Sequence, residues 1–524
     1  MVLGAAVLVC GVLARKLKVA PPVLQLAVGA LLGFAPALRQ VHLPPQVVLL
    51  LFLPALLYWE SLTTSLREIR SNLRVIVLSS TVLVIVTAWA VAAAAHAAGL
   101  PWGPAWVLGA AVAPTDATAV GVLAGALPRR TLTVLRAESL VNDGTALVIY
   151  ALAIGVTRGD EQLSVLHIGG LFLLSYGGGA VAGLLAAWLW GQVRRHLNDD
   201  PVLVGVSTIL VPFAAFGLAQ LVHASGVLAV VACGLVMSQT TPRIGQPETR
   251  QQTQAFWSLS TFLLNGALFV LVGLQLQSAV RGLSSTELSR GLITVAVVSG
   301  AVIGTRFAWL YTTPYLIRAL DRRPAQRQRQ RRVGARARLV NATAGFRGAV
   351  SLAAALAVPE NITKGAPFPD RNMIIFVTSG VIVVTLVLQG LMLPAVIRVA
   401  RLPRDGSVEA ERHLAEIQAT EEALDAIPQL AADLDTDTEI TERLKREYAK
   451  HLRVLHATDD GADDEPALHY DQQYTALRQA VLAHKRATVV RLRDERRIDD
   501  IVLRQLQARL DLEEVRLSRR ELAE

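Results

Sequence analysis

Charge is scarce in this chain and cysteine nearly absent. Only 18% of the 524 residues are charged against 52% hydrophobic, which excludes an ordinary soluble domain. The two cysteines, Cys10 and Cys233, both fall inside apolar runs. That argues against a disulfide framework and reads as two small buried side chains. No HExxH and no GxSxG element occurs, and no second helix repeats an aspartate motif in the form used by intramembrane proteases. No basic residue precedes the first apolar run and no clear cleavage site follows it. The short first span therefore reads as a tilted helix or an incomplete start rather than a signal peptide. The net charge is +9, but the basic residues sit in loops between apolar runs rather than along one amphipathic surface. Nucleic acid is thereby disfavoured as a partner.

What the chain has in plenty is long apolar runs, and these imply a lipid bilayer as solvent. They lie near 2–14, 20–38, 46–62, 73–98, 104–127, 131–156, 165–193, 201–222, 224–240, 256–280, 291–317, 340–358 and 372–398. As helices they can cross about 30 Å of hydrocarbon. The reading is an all-α polytopic membrane protein with about 13 transmembrane helices over residues 1–400. Alternate loops concentrate Arg and Lys, among them Arg15, Lys16 and Lys18, Arg67, Arg70 and Arg74, Arg194 and Arg195, and the run DRRPAQRQRQRRVGARAR. The positive-inside rule then places those loops in the cytoplasm, with the N-terminus outside and the C-terminus inside the cell membrane. Residues 401–524 alternate charged and apolar positions at helical spacing and read as a cytoplasmic helical domain, stabilising or regulatory. HATDDGADDEPALHYD is the expected linker or turn within it.

The informative residues are ionisable groups near mid-span, each costing on the order of 3 kcal/mol at the bilayer centre. Asp116 is central in span 5, Glu138 and Asp143 flank the centre of span 6, and Arg306 lies near the centre of span 11. A helix turns about 100° per residue, so Glu138 and Asn142 share one face of span 6 and Ser139 and Asp143 a neighbouring one. A single arginine at matching depth can neutralise one carboxylate. The others then need a mobile cation or proton. Pro114 precedes Thr115 and Asp116 and is expected to break span 5, while Gly345, Arg347, Gly348 and Ser351 interrupt span 12. Freed carbonyls beside a carboxylate make a hard-oxygen site suited to a small cation. If spans 1–6 and 8–13 are two repeats joined by span 7, they are inverted, with crossed broken helices at spans 5 and 12. That is the architecture of alternating-access carriers.

These motifs carry a family resemblance over roughly residues 1–400. ESLVND, APTDATAV, FLLNGALFVLVGLQL and GFRGAVSLAAAL resemble elements of the monovalent cation:proton antiporter-1 family, which includes bacterial and archaeal NhaP-type and animal sodium/proton exchangers. The resemblance implies that Asp143 is the central cation ligand and proton carrier, with Ser139, Asp116 and the Thr115 carbonyl completing the site and Asn142 supporting it. It implies that Glu138 pairs with Arg306 and that Arg347 belongs to the cytoplasmic end of the crossing. One departure stands out. The family's third-span acid commonly follows LPPLLF directly, whereas LPALLYWE places Trp59 there and Glu60 one residue later. Glu60 either lines the cytoplasmic funnel or ends its helix. Ser139 has a rival reading as a side chain bonded back to its own helix, and Asn142 one as a packing residue. Asn265 is expected to pack or cap within span 10, with a direct role in ion binding as its rival reading.

The function implied is secondary active exchange of sodium or another monovalent cation for protons. It needs no cofactor beyond the transported ions, and the protein is a transporter rather than an enzyme. The Glu138–Arg306 pair leaves Asn-Asp where electrogenic relatives carry two adjacent acids, which implies electroneutral exchange. The family also implies a homodimer. An intramembrane aspartate-dependent enzyme and a passive cation channel are the rival classes, and coupled counterflow of ions separates them.

Overall fold

The computed structural model describes residues 2–17, 19–35, 48–116, 127–159, 165–196, 200–244, 247–281, 283–320, 334–362, 365–402, 405–460, 465–495, 497 and 499–521. Among them every regular element is helical, apart from one isolated bridge between Asn361 and Pro367. Two compact units divide the chain, Met1–Arg404 and Asp405–Glu524.

In the first unit, α1 (Val2–Leu17) and α2 (Pro21–Leu32) are followed by α3 (Leu53–Thr63) and the short α4 (Leu66–Ser71). Next come α5 (Leu73–Ala97), α6 (Trp102–Val112), α7 (Arg129–Arg158) and α8 (Gly169–His196). α9 (Pro201–Leu221), α10 (Gly226–Ile244), α11 (Pro247–Arg281) and α12 (Ser285–Leu320) succeed them. The unit closes with α13 (Ala335–Thr343), α14 (Ala349–Leu356) and α15 (Arg371–Ala400). Among the described residues seven helices are long and apolar enough to cross a membrane: α5, α7, α8, α9, and the apolar stretches of α11, α12 and α15. Large apolar side chains such as Leu8, Leu31, Trp188, Leu210 and Leu259 point outward. Water would penalise such a surface and lipid does not, so the chain is an integral membrane protein.

The interior is built from small and branched residues. One apolar cluster joins α5, α6, α12 and α15 through Val91, Leu108, Val298 and Ile374. A second joins α3, α8, α9 and α10 through Tyr58, Trp190, Ala215 and Val230, with Trp257 of α11. α7 contributes Ala153 to the first and Leu140 to the second. Cys10 and Cys233 are both buried thiols. Where α2 lies along α11, a Cβ on Gly29 would fall on the Val270 carbonyl and one on Gly273 on the Leu26 carbonyl, so glycine is what lets these backbones touch.

Two helices stop where their sequences remove the means to continue. α6 ends at Val112, and Ala113–Asp116 leave the helical path. Pro114 has no N–H with which to extend the ladder. α13 ends at Thr343 and α14 begins at Ala349, with Gly345 and Gly348 in the interval. Residues 117–126, the second half of the fifth expected span, lie outside the described residues, as do Lys18, residues 321–333 of the basic run and Arg404.

The second unit consists of α16 (Ser407–Asp433), α17 (Thr438–Asp460), α18 (Glu465–Asp494) and α19 (Asp500–Glu521). Its buried apolar residues include Ile427, Val454, Leu482 and Leu503. Arg486 reaches Asp511 and Glu514 at 2.5 Å, joining α18 to α19. The expected linker 456–471 is narrower than its composition implies. α17 runs through Asp460 and α18 starts at Glu465, and 461–464 lie outside the described residues.

Candidate functional site

The two interruptions meet. The Asp116 amide donates to the Phe346 carbonyl at 2.8 Å, a main-chain bond from one break to the other. Arg347, 1% exposed, donates from Nε to the Val112 carbonyl at 3.0 Å and from Nη1 to the Gly345 carbonyl. Carbonyls that the breaks leave without an amide are thereby satisfied, which a bilayer interior requires. Arg347 is thus a clamp on the crossing, and it is absent from the lining of the main cavity. A Cβ at Gly348 would land on the Asp116 carboxylate, so only glycine lets the second break approach the first this closely.

α7 presents two different faces to this crossing. On one, Glu138 is held by Arg306, with Oε1 to Nη1 at 2.5 Å and both residues 4% exposed or less. The same guanidinium donates from Nε to the Asn341 carbonyl in the last turn of α13 at 3.1 Å. Thr115 bridges from the first break. Its hydroxyl accepts from Asn142 Nδ2 at 2.7 Å and faces Glu138 Oε1 at 3.5 Å. A small polar cavity behind this group is lined by Ser79, Thr87, Thr115, Glu138, Asn142, Arg306 and Arg347. A buried charge pair of this kind costs several kcal/mol to break from one side, which holds α7 to the end of α13.

The other face opens onto a cavity of about 40 Å³, room for a few waters or a partly dehydrated monovalent ion. Asp143 and Ser139 of α7, Thr115 and Asp116 of the first break, Glu60 of α3, Asn265 of α11, and Gly348 and Ser351 at the second break line it, with Leu53, Leu56 and Leu57 as an apolar wall. Ser139 Oγ donates to the Thr115 carbonyl at 2.9 Å, a bond from α7 to the first break. No hydrogen bond or ion pair holds the Asp143 carboxylate among the described residues, and its electrostatic neighbours are the carboxylates Asp116 and Glu60.

All nine residues singled out from the sequence therefore gather around one crossing, but in two groups. Asp143, Asp116, Ser139, Thr115 and Glu60 line the main cavity; Glu138, Arg306, Asn142 and Arg347 line the smaller one, where Thr115 also appears. Glu60 lies in the last turn of α3 and lines the cavity. Its carbonyl also accepts from Thr64 Oγ1 at 2.6 Å in the turn that ends the helix. Asn265, read from the sequence first as a packing or capping residue, and Ser351, read only as part of the interruption of span 12, also line the cavity. Both sit on apolar helices whose periodicity carries no mark of a cavity.

The chain resembles known proteins along nearly its full length. It is 47% identical to an uncharacterised sodium/proton exchanger of Mycobacterium tuberculosis strain H37Rv, covering 98% of this chain and 95% of that one. To the uncharacterised exchanger YjcE of Escherichia coli K12 it is 29% identical, over 99% and 98% of the two chains. It is 28% identical over 71% of its length to the sodium, potassium, lithium and rubidium/proton antiporter of Bacillus subtilis, covering 57% of that protein. The fold is like that of the sodium/proton antiporter MjNhaP1 from Methanocaldococcus jannaschii, with a TM-score of 0.56 at 20% identity, over 76% of this chain and 97% of that one. These relatives are exchangers and antiporters, transporters rather than enzymes. The family model described as sodium/hydrogen exchanger, transmembrane, matches residues 4–399, and the chain belongs to that family.

Proposed function

We propose that this protein exchanges sodium or another monovalent cation for protons, with Asp143 as the group that takes up either one. The observation carrying the proposal is the unequal treatment of two carboxylates on one helix. Glu138 has a permanent cation in Arg306 at 2.5 Å; Asp143 shares a cavity with Asp116 and Glu60 and has none among the described residues. Adjacent carboxylates in a partly dehydrated space attract a proton or a cation, and either one excludes the other. Ser139, Asp116 and the Thr115 carbonyl complete the site, with Asn142 in support.

Only the loaded forms have this charge neutralised, so they alone cross between inward-open and outward-open states. Alternating access in this form couples the two fluxes without a cofactor. The thirteen-span count, the two inverted repeats, an N-terminus outside the plasma membrane and a cytoplasmic C-terminal unit belong to the same reading, supported by the basic loops and the paired breaks. So do one-for-one electroneutral exchange and a homodimer, which rest on family resemblance. The purified protein in proteoliposomes should dissipate an imposed pH gradient when sodium is added, and Asp143→Asn should not. Full activity in that variant would overturn the site, and a strong dependence on membrane voltage would overturn electroneutrality.

A further inference from the structure

The carboxylates occupy one side of the cavity, and neutral oxygens occupy another. Asn265 of α11 and Ser351 of α14 both line it. Ser351 is 1% exposed, yet neither its hydroxyl nor the Asn265 amide makes a hydrogen bond among the described residues. A buried serine in a helix ordinarily donates to the carbonyl four residues back. Ser61 does so to Leu57 at 2.6 Å, and Thr385 to Val381 at 2.8 Å. Ser351 has no such outlet, because four residues back is Arg347, inside the interruption and before α14 begins. With no partner of its own among the described residues, the Ser351 hydroxyl opens onto the cavity and is free to take one that enters there, a water or a cation.

We propose that Asn265 and Ser351 supply neutral oxygens that complete the coordination shell of the transported monovalent cation and set its preference among alkali ions. The proposal rests on the exchange reading above and adds the residues that choose the ion. Asp143, Asp116 and Glu60 attract every monovalent cation by the same charge. Discrimination by size comes from the number and spacing of the remaining oxygens, directly or through a held water. A hydroxyl fixed at the start of α14 and an amide on α11 contribute those oxygens from elements that carry none of the carboxylates. Because both ligands are neutral, they add oxygens to the shell without adding charge, so their effect on one alkali ion differs from that on another through size rather than through charge.

The test uses the full chain in proteoliposomes, with dissipation of a pH gradient measured against lithium, sodium, potassium and rubidium. Ser351→Ala and Asn265→Ala should each shift the ratio of apparent KM for sodium to that for potassium by at least about fivefold. The ratio between ions is the readout, because a general change in turnover or in proton affinity moves the apparent KM values for all four ions together. Cation-induced shifts in Tm in detergent provide a readout independent of turnover, and in Ser351→Ala, close to isosteric, the sodium shift should change relative to the potassium shift. Apparent KM values that stay put, or move by one common factor for all four ions, overturn the assignment of Asn265 and Ser351 alone. A wild type that responds to none of the four ions overturns the exchange reading itself.

Discussion

Two carboxylates five residues apart on α7 live in opposite circumstances. Glu138 is locked to Arg306 at 2.5 Å, and that guanidinium is tied in turn to the end of α13. Asp143 looks into a cavity whose other acidic groups are Asp116 and Glu60. The first residue spends its charge on holding two segments together. The second is left with a charge to be met from outside. One helix can serve both ends because a step of about 100° per residue separates the faces, while a shared backbone keeps them in fixed register.

That contrast can be broken experimentally, and the largest effect belongs to the cavity face. Asp143→Asn should bring cation-driven proton movement to background while leaving Tm unchanged or raised, since it removes one of several neighbouring like charges. A large loss of Tm there would mean that Asp143 is structural after all. Glu138→Gln should show the reverse signature. With Arg306 left buried and unpaired, stability should fall by about 3–5 kcal/mol, and the double variant Glu138→Gln with Arg306→Gln should recover part of that loss in thermal unfolding.

A smaller effect should follow from Gly348→Ala, where the new methyl meets the Asp116 carboxylate. Overpacking of this kind costs about 1–3 kcal/mol, and exchange should drop at least tenfold because the displaced group is a cavity carboxylate. Thr115→Val removes the hydroxyl between Asn142 and Glu138 and should cost about 1–3 kcal/mol, with residual exchange retained through the Thr115 carbonyl. The smallest effect is expected far from either face. Arg486→Ala cuts solvent-exposed ion pairs in the second unit, which are screened by water and salt, and both Tm and exchange should be unchanged within error.

Much of this site was legible because lipid makes charge conspicuous. Glu138, Asp143, Asp116 and Arg306 each interrupt an apolar run, and that cost alone marks them. The break after Val112 was likewise written in Pro114. The positions of Asn265 and Ser351 were not legible in the same way. An amide on a 35-residue helix and a serine in an alanine-rich one are common in membrane helices, and only the packing of elements far apart in sequence turns them toward one space. π-helical turns at Leu78–Val82 and Thr385–Gln389 also had no sequence mark, since one extra residue per turn changes neither hydropathy nor span length. Glu60 was ambiguous for a related reason. Its place at the end of a helix fixes the backbone but not what the side chain faces.

The bond from the Asp116 amide to the Phe346 carbonyl has both its donor and its acceptor in the main chain. Most side-chain exchanges leave its donor and acceptor in place; the exceptions are an added Cβ at Gly348, which would push the two breaks apart, and a proline at 116, which would delete the donor. The crossing is therefore insulated from most single substitutions in a way the surrounding ligands are not. Descendants of this sequence can alter the oxygens around the cavity, and with them the ion that is carried, without first having to reinvent the joint that brings those oxygens together.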